Sequence, residues 1–318
     1  MKTKTITSSL IGVLLVFVLS ACSASPQPSD QKQAISVSGA FALYPMMTRW
    51  AEEYQKVHPD IVFDISAGGA GKGMADVLGG VVDIGMVSRG ITPEEESKGA
   101  FWISVTKDAV FPTLNADNPI KDRIFQQGFT RQIFYDIFIS GEITTWGETI
   151  GDPQIQDPIH VYTRSDAAGA PETWAKFLGK KQEDLLGIAV YGDPGLVEAV
   201  AKDPLGIGFN NLGYAYDSST ALPVSGIGII PIDINENGIA DPEEVLDTKE
   251  KAIEAVATNR YPSPPARELY LVTKGKPSGI VLEFIHWVLT DGQRFVGEAG
   301  YIQLTNGQLQ EGLQKLQP

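Results

Sequence analysis

From residue 35 onward, short runs of alternating apolar and polar residues give way, again and again, to apolar residues at helical spacing. Ile35-Ser36-Val37 begins a strand, and Ser38-Gly39-Ala40 turns the chain into a helix expected from about Pro45 to Val57. Met46, Met47, Trp50, Tyr54 and Val57 share one face of that helix and read as core. Ile61, Phe63 and Ile65 alternate with polar neighbours, the period of a strand. A glycine-rich turn, Gly68 to Gly73, leads into a second helix that ends near Gly79-Gly80. Ile84 to Val87 is a third strand, followed by Ser88-Arg89-Gly90. Thr92, Pro93 and Glu95 then mark a helix start, with Thr92 as cap, Pro93 in the first position and Glu95 closing a capping box. The acidic cluster Glu94 to Glu96 is thereby explained as helix-start chemistry. Strand and helix in alternation predict an α/β fold, a parallel sheet covered by helices.

The first residues follow a different pattern. Lys2 and Lys4 precede a short apolar run, Leu10 to Leu19, and then Leu19-Ser20-Ala21-Cys22. The run is too short to span a bilayer, and the whole reads as an export signal, residues 1–21. Its end resembles the lipobox of bacterial lipoproteins, which implies a lipid on Cys22, the only cysteine in the chain. A single cysteine closes no internal disulfide, so anchoring gives it a purpose. Residues 22–34, rich in Ser, Pro and Gln, read as a flexible tether. The chain is thus expected outside the cytoplasm, on a membrane.

Charge narrows the partners. The 318 residues carry 25 basic and 39 acidic side chains, a net charge of −14. Without Lys2 and Lys4 the balance is 23 against 39, or −16. Such a chain lacks the basic footprint that nucleic acid requires. Overall charge governs solubility and steering, whereas local donors decide what a closed pocket holds.

In parallel sheets ligands bind beyond the carboxyl ends of the strands, where turns present backbone N–H groups at helix starts. Four turns qualify: Ser38 to Ala42, Gly68 to Gly73, Ser88 to Gly90, and Arg164 to Ala170, which follows the apolar stretch Ile159 to Tyr162 and precedes a helix expected over Pro171 to Leu178. The glycine-rich turn is no nucleotide loop. Ser66 stands where a P-loop needs its first Gly, and Gly73 where Ser or Thr should follow Lys72; Met74 breaks the dinucleotide pattern. His58, His160 and His286 fit no zinc or nucleophile spacing, and His286, in the apolar segment Phe284 to Leu289, reads as structural. No catalytic constellation emerges, and the chain is expected to bind rather than to catalyse, with no catalytic cofactor.

One metal motif fits. Asp233, Asn235, Asn237, Gly238, Ile239, Asp241 and Glu244 fill the EF-hand loop template, with the carbonyl of Ile239 at position seven and Glu244 as bidentate chelator. Ile227 to Ile232 before it looks like strand, so the expectation is one structural Ca²⁺ rather than a sensor.

A series of landmarks from about Ile35 to Thr305 resembles the phosphate-binding component of bacterial phosphate ABC importers. They are Ser38-Gly39-Ala40, Tyr44-Pro45, Trp50 to Tyr54, Gly68 to Gly71, Val82 to Gly85 with Ser88-Arg89, Ser140 to Ile143 with Trp146, Val161 with Arg164, Gly206 to Phe209 with Tyr214-Ala215, and Tyr261-Pro262 with Arg267 to Tyr270. The resemblance implies a two-lobed type 2 periplasmic-binding-protein fold with two crossover strands, near Thr106 to Pro112 and Tyr261 to Leu271. Lobe 1 would comprise residues 35–108 and 263–318, and lobe 2 residues 109–262 with the loop 233–244. It further implies a monomer that holds a small oxyanion, phosphate first, between the lobes and delivers it to a membrane permease. By landmark the ligand would meet Ala40, Phe41, Ala42, Gly69, Ala70, Ser88, Arg89, Arg164, Ala168, Gly169 and Ala170. Tyr44 and Trp174 read as core.

Hydroxyl donors usual in that family are missing. Ala168-Gly169-Ala170 stands for Ser-Gly-Thr, Gly69 for a serine and Phe41 for a threonine, while Ser88 replaces an aspartate and so removes an acceptor instead. Another oxyanion or a small carboxylate therefore stays open as ligand, as does a sensing or adhesive lipoprotein that has lost tight phosphate capture. Arg164 can grip an anion with its planar fork, or pair with Asp166.

Overall fold

The computed structural model describes residues 33–317; the export signal, Cys22 and the tether as far as Lys32 lie outside the described residues. Nine strands are formed among them: β1 (Gln33–Gly39), β2 (Ile61–Ala67), β3 (Ile84–Val87), β4 (Ala100–Asn115), β5 (His160–Arg164), β6 (Ile188–Val190), β7 (Gly206–Asn211), β8 (Ile227–Ile229) and β9 (Ala266–Lys274). Their order is β2-β1-β3-β9-β4-β7-β5-β6, with β8 also on β4. β1 takes in Gln33 and Ala34, two residues expected in the tether.

Two parallel sets frame this sheet. β1 runs parallel to β2 and β3, and β5 runs parallel to β6 and β7. Between them the long β4 and β9 pair antiparallel, from Ala100–Lys274 to Ala109–Ala266, with a register shift between Ser104 and Thr106. Beyond Ala109, β4 pairs instead with β7 and β8. Its residues accordingly divide: Ile103 and Val105 belong to one hydrophobic cluster, Ala109, Val110, Phe111 and Leu114 to another. These clusters are the cores of two lobes; β4 spans the crossing expected at Thr106 to Pro112, and β9 begins at Ala266, five residues into the one expected at Tyr261 to Leu271.

The sequence pattern explains the local structure. The helix Tyr44–Val57 buries Met46, Met47, Trp50 and Tyr54, each at most 1% exposed. Val57, expected on the same face, is 63% exposed. It is the last helical residue before the chain turns through His58, and nothing packs over it. Thr92 and Glu95 form the predicted capping box on helix Pro93–Ser97. Trp174 is buried in the second core and Tyr44 packs against the first. The helix Gly169–Phe177 starts two residues earlier than expected. Pro171 fits in its first turn, where N–H groups have no intrahelical acceptor.

Helix Ala70–Leu78 sits directly on β1 and β3 because three glycines meet there. A Cβ on Gly73 would lie 2.6 Å from the Met86 carbonyl and 2.8 Å from Cα of Gly39, and one on Gly85 2.6 Å from the Gly73 carbonyl. Gly73→Ala should therefore lower unfolding free energy by about 1–3 kcal/mol in urea titrations, through overpacking. Gly195→Ala, on a helix with nothing within 4 Å of its Cβ, should be neutral or slightly stabilising.

Candidate functional site

Helix starts from both lobes meet at one place. In the first lobe, Phe41 opens a short 3₁₀ turn leading into Tyr44–Val57, and Ala70 opens Ala70–Leu78. In the second, Gly169 opens Gly169–Phe177 just after β5. The Gly71 N–H donates to the Ala167 carbonyl at 3.1 Å across the junction. A Cβ on Gly169 would come within 2.1 Å of Ser88 Oγ, and one on Gly69 within 2.9 Å of Ala167 O and of Asp166 Oδ2. Only glycine permits this approach, and Gly69 also has φ of +91°.

Arg164, at the end of β5, points into this junction with its side chain fully buried. Nε and Nη2 donate to Asp166 at 2.7 and 2.6 Å, and Nη1 donates to Asp193 at 2.5 Å. Its guanidinium lies 5.4 Å from the centre of the Phe41 ring, which comes from the other lobe. Burial alone would lower its pKa, but Asp193 and Asp166 outweigh burial and raise it. Arg164 thus stays cationic in the interior. Of its five N–H donors, three are engaged by carboxylates.

The network continues beneath. Asp193 accepts from Asn211 Nδ2 at 2.7 Å, and Asn211 Oδ1 accepts from Arg267 Nη2. Arg267 also donates to Asp108 at 3.2 Å and to the Gly169 carbonyl at 2.7 Å. Asp108 and Arg267 are directly opposite each other on β4 and β9. Burial pushes the Asp108 carboxyl up to about 6 against the pull of Arg267. Burial likewise draws Arg267 below its ordinary value.

A match to a family model described as a PBP superfamily domain runs over residues 24–292. The chain belongs to this superfamily. It is 26% identical over 280 residues to the phosphate-binding protein PstS of Bacillus subtilis, covering 86% of this chain and 81% of that protein. To the PstS of Methanocaldococcus jannaschii it is 25% identical over 355 aligned positions, covering 92% and 90%. An ABC-type phosphate transport receptor from Vibrio cholerae shares the fold with a TM-score of 0.61 at 21% identity, covering 85% of this chain and all of that one. The two lobes and their crossing strands are the type 2 periplasmic-binding-protein fold.

Within this PBP-superfamily chain the expected contact residues divide. Phe41, Ala42, Ala70, Gly169 and Ala170 occupy first turns, where N–H groups lack an acceptor in their own helix. Ala40 and Gly69 differ: their N–H groups donate to the carbonyls of Met86 and Gly39 at 2.9 and 3.1 Å, and so belong to the sheet edge. Ala168 N–H reaches Gln182 Oε1 at 3.4 Å. Ser88 is buried against Gly169. Arg89 grips Glu95 with two bonds of 3.0 and 2.6 Å and lies 3.3 Å from Glu172, which ties it to the helix cap.

Asp193, Arg267 and Asp108 were not among the expected site residues. Arg267 stood in a landmark, and Asp193 follows a glycine at a helix start, where an acid has an ordinary explanation. Elsewhere, His286 is exposed rather than packed, on the rim of a cavity of about 600 Å³ lined also by Tyr54, His58, Glu283 and Trp287. This cavity lies in the first lobe, away from Arg164.

The loop 233–244 folds upon its own polar groups. Asp233 accepts from the N–H groups of Asn237 and Gly238 at 3.1 and 2.9 Å, and Glu244 from those of Ile234 and Asp241 at 2.8 and 3.1 Å. Asn235 and Asn237 turn their amide nitrogens to Asp241 at 2.8 and 3.1 Å. The carbonyl-bearing residue Ile239 donates its N–H to Asn237 Oδ1 at 2.8 Å. Among the described residues no group of three His, Cys, Asp or Glu side chains is placed to hold a metal ion.

Asp193→Ala would leave the interior guanidinium with one carboxylate fewer. Urea unfolding should show a loss of roughly 3–5 kcal/mol, the cost of breaking a buried pair from one side, with partial recovery in Asp193→Asn.

Proposed function

We propose that this chain is the solute receptor of an ABC importer, exported and held to the membrane by a lipid on Cys22, and that it captures a small oxyanion, phosphate first, between its lobes. The observation that carries the reading is the buried cation Arg164 where helix starts from both lobes converge. Helix N-termini and a planar guanidinium are complementary to oxyanions. Curated relatives that carry the name phosphate-binding protein align along most of the chain and support phosphate as the ligand. In this reading the lobes divide at residues 108/109 and 262/263, the anion meets the first-turn N–H groups of Phe41, Ala42, Ala70, Gly169 and Ala170, and the receptor hands its cargo to a permease without catalysing a reaction. Among the described residues no helix is long and apolar enough to cross a membrane.

A second reading has its own support. Ala168, Ala170 and Gly69 bring no hydroxyl to the junction, so a different oxyanion or a small carboxylate fits the same frame. Calorimetry of the purified chain with phosphate, sulfate, molybdate, tungstate and small carboxylates decides between them, and absence of heat with phosphate would reject the first. Arg164→Ala should weaken the bound anion at least about tenfold, the scale of one lost charge-assisted bond. Arg164→Lys, which keeps a cation between Asp166 and Asp193, separates loss of binding from loss of folding.

For the loop 233–244 we propose one structural Ca²⁺, supported by the template match of Asp233, Asn235, Asn237, Ile239, Asp241 and Glu244. A native-state ligand must stabilise, so the melting temperature should rise with calcium and fall with chelator. A melting temperature indifferent to both would reject the site.

A further inference from the structure

Five charged side chains form one continuous buried network below the junction. Arg164 bonds Asp166 and Asp193; Asp193 bonds Asn211; Asn211 bonds Arg267; and Arg267 bonds Asp108. All are buried, from 0% side-chain exposure at Arg164 to 9% at Asp166. With every group ionised, the two guanidiniums of this network face three carboxylates, and the buried ammonium of Lys249, which acts on Asp108 without bonding it, brings the interior to balance before any ligand arrives.

An oxyanion beside Arg164 adds negative charge to an interior that has no cation to spare, and uncompensated charge in such a place is costly. Protonation of one carboxylate relieves it. The three candidates are not equal. Asp166 and Asp193 are clamped on Arg164 at 2.5–2.7 Å, whereas Asp108 meets its guanidinium, Arg267, only at 3.2 Å and otherwise accepts from the backbone, the Leu212 N–H at 3.2 Å. Other groups act on Asp108 from the elements around it: Asp193, Lys249, Tyr214, Tyr261 and Tyr301. Lys249, the buried cation among them, donates to the Ala299 carbonyl at 3.3 Å and forms no ion pair with Asp108.

We propose that capture of an oxyanion at Arg164 is coupled to the uptake of one proton from solvent, held on the carboxylate of Asp108. No bond within the anion changes. The proposal rests on Arg164 as the anion site. Asp108 is already raised to about 6 in this structure, close enough to neutrality for a further negative charge to carry it across.

Calorimetry of phosphate binding to the mature chain, in two buffers of different ionisation enthalpy, counts the protons exchanged. At about pH 7 the wild type should take up close to one proton more per anion than Asp108→Asn, and at about pH 5, where Asp108 is protonated beforehand, the difference should vanish. The anion's own titration is common to both proteins and cancels. Equal uptake at pH 7 overturns the coupling while leaving the anion site intact; no heat with phosphate in the wild type overturns the phosphate reading and the coupling together. Should Asp108→Asn not fold, the wild type alone decides. Its phosphate affinity, corrected for the anion's titration, should fall about tenfold per pH unit above pH 7, and a flat corrected profile overturns the proposal.

Discussion

A guanidinium held in the protein interior by two carboxylates organises this structure. Arg164 reaches its position because β5 ends there, and it remains charged there because Asp166 and Asp193 outweigh the cost of burial. Each partner comes from a different segment: Asp166 from the turn after β5, Asp193 from the start of helix Gly192–Lys202. The ion cluster thus fixes two loops of the second lobe relative to each other, and Phe41 of the first lobe lies against its face. A buried pair of this kind is weak evidence for stability, since hydrophobic replacements often do as well, but removing one partner alone is damaging. Its position is therefore more telling than its strength. A fold that had no use for a cation at this junction could have filled the place with apolar side chains.

Much of the architecture could be read from residue pattern. The alternation at Ile61 to Ile65, the helical face of Met46 to Tyr54 and the signals at Thr92 to Glu95 each depend on nearest neighbours along the chain, and each is found where expected. Local rules failed at the margins. Val57 satisfies helical spacing but lies beyond the point where anything packs above it, a tertiary fact. The helix at Gly169 starts early because Ala168 is extended and the following glycine must pass close to Ser88, which belongs to the other lobe.

The site was legible only in part, for a physical reason. Backbone donors at helix starts are announced by local turn chemistry, so Phe41, Ala70 and Gly169 could be named from sequence. Whether a given N–H remains free depends on partners far away, and those of Ala40 and Gly69 are taken by the carbonyls of Met86 and Gly39. The carboxylates were harder still. Asp193 is 29 positions from Arg164, and Arg267 is 159 from Asp108, separations at which one sequence gives no sign of contact. Arg89 shows the converse. It was itself among the candidate contacts, and its guanidinium makes two bonds to Glu95 six positions on.

The register shift between Ser104 and Thr106 has a mechanical consequence. Two cores joined through a two-stranded ribbon can change their mutual angle only by deforming that ribbon, and a ribbon bends most easily where its ladder is interrupted. Asp108 and Arg267 are paired across the same two strands, only a few residues from the interruption. Any bending at the interruption would therefore be felt first by this ion pair, which ties the two strands together on the side of the second core.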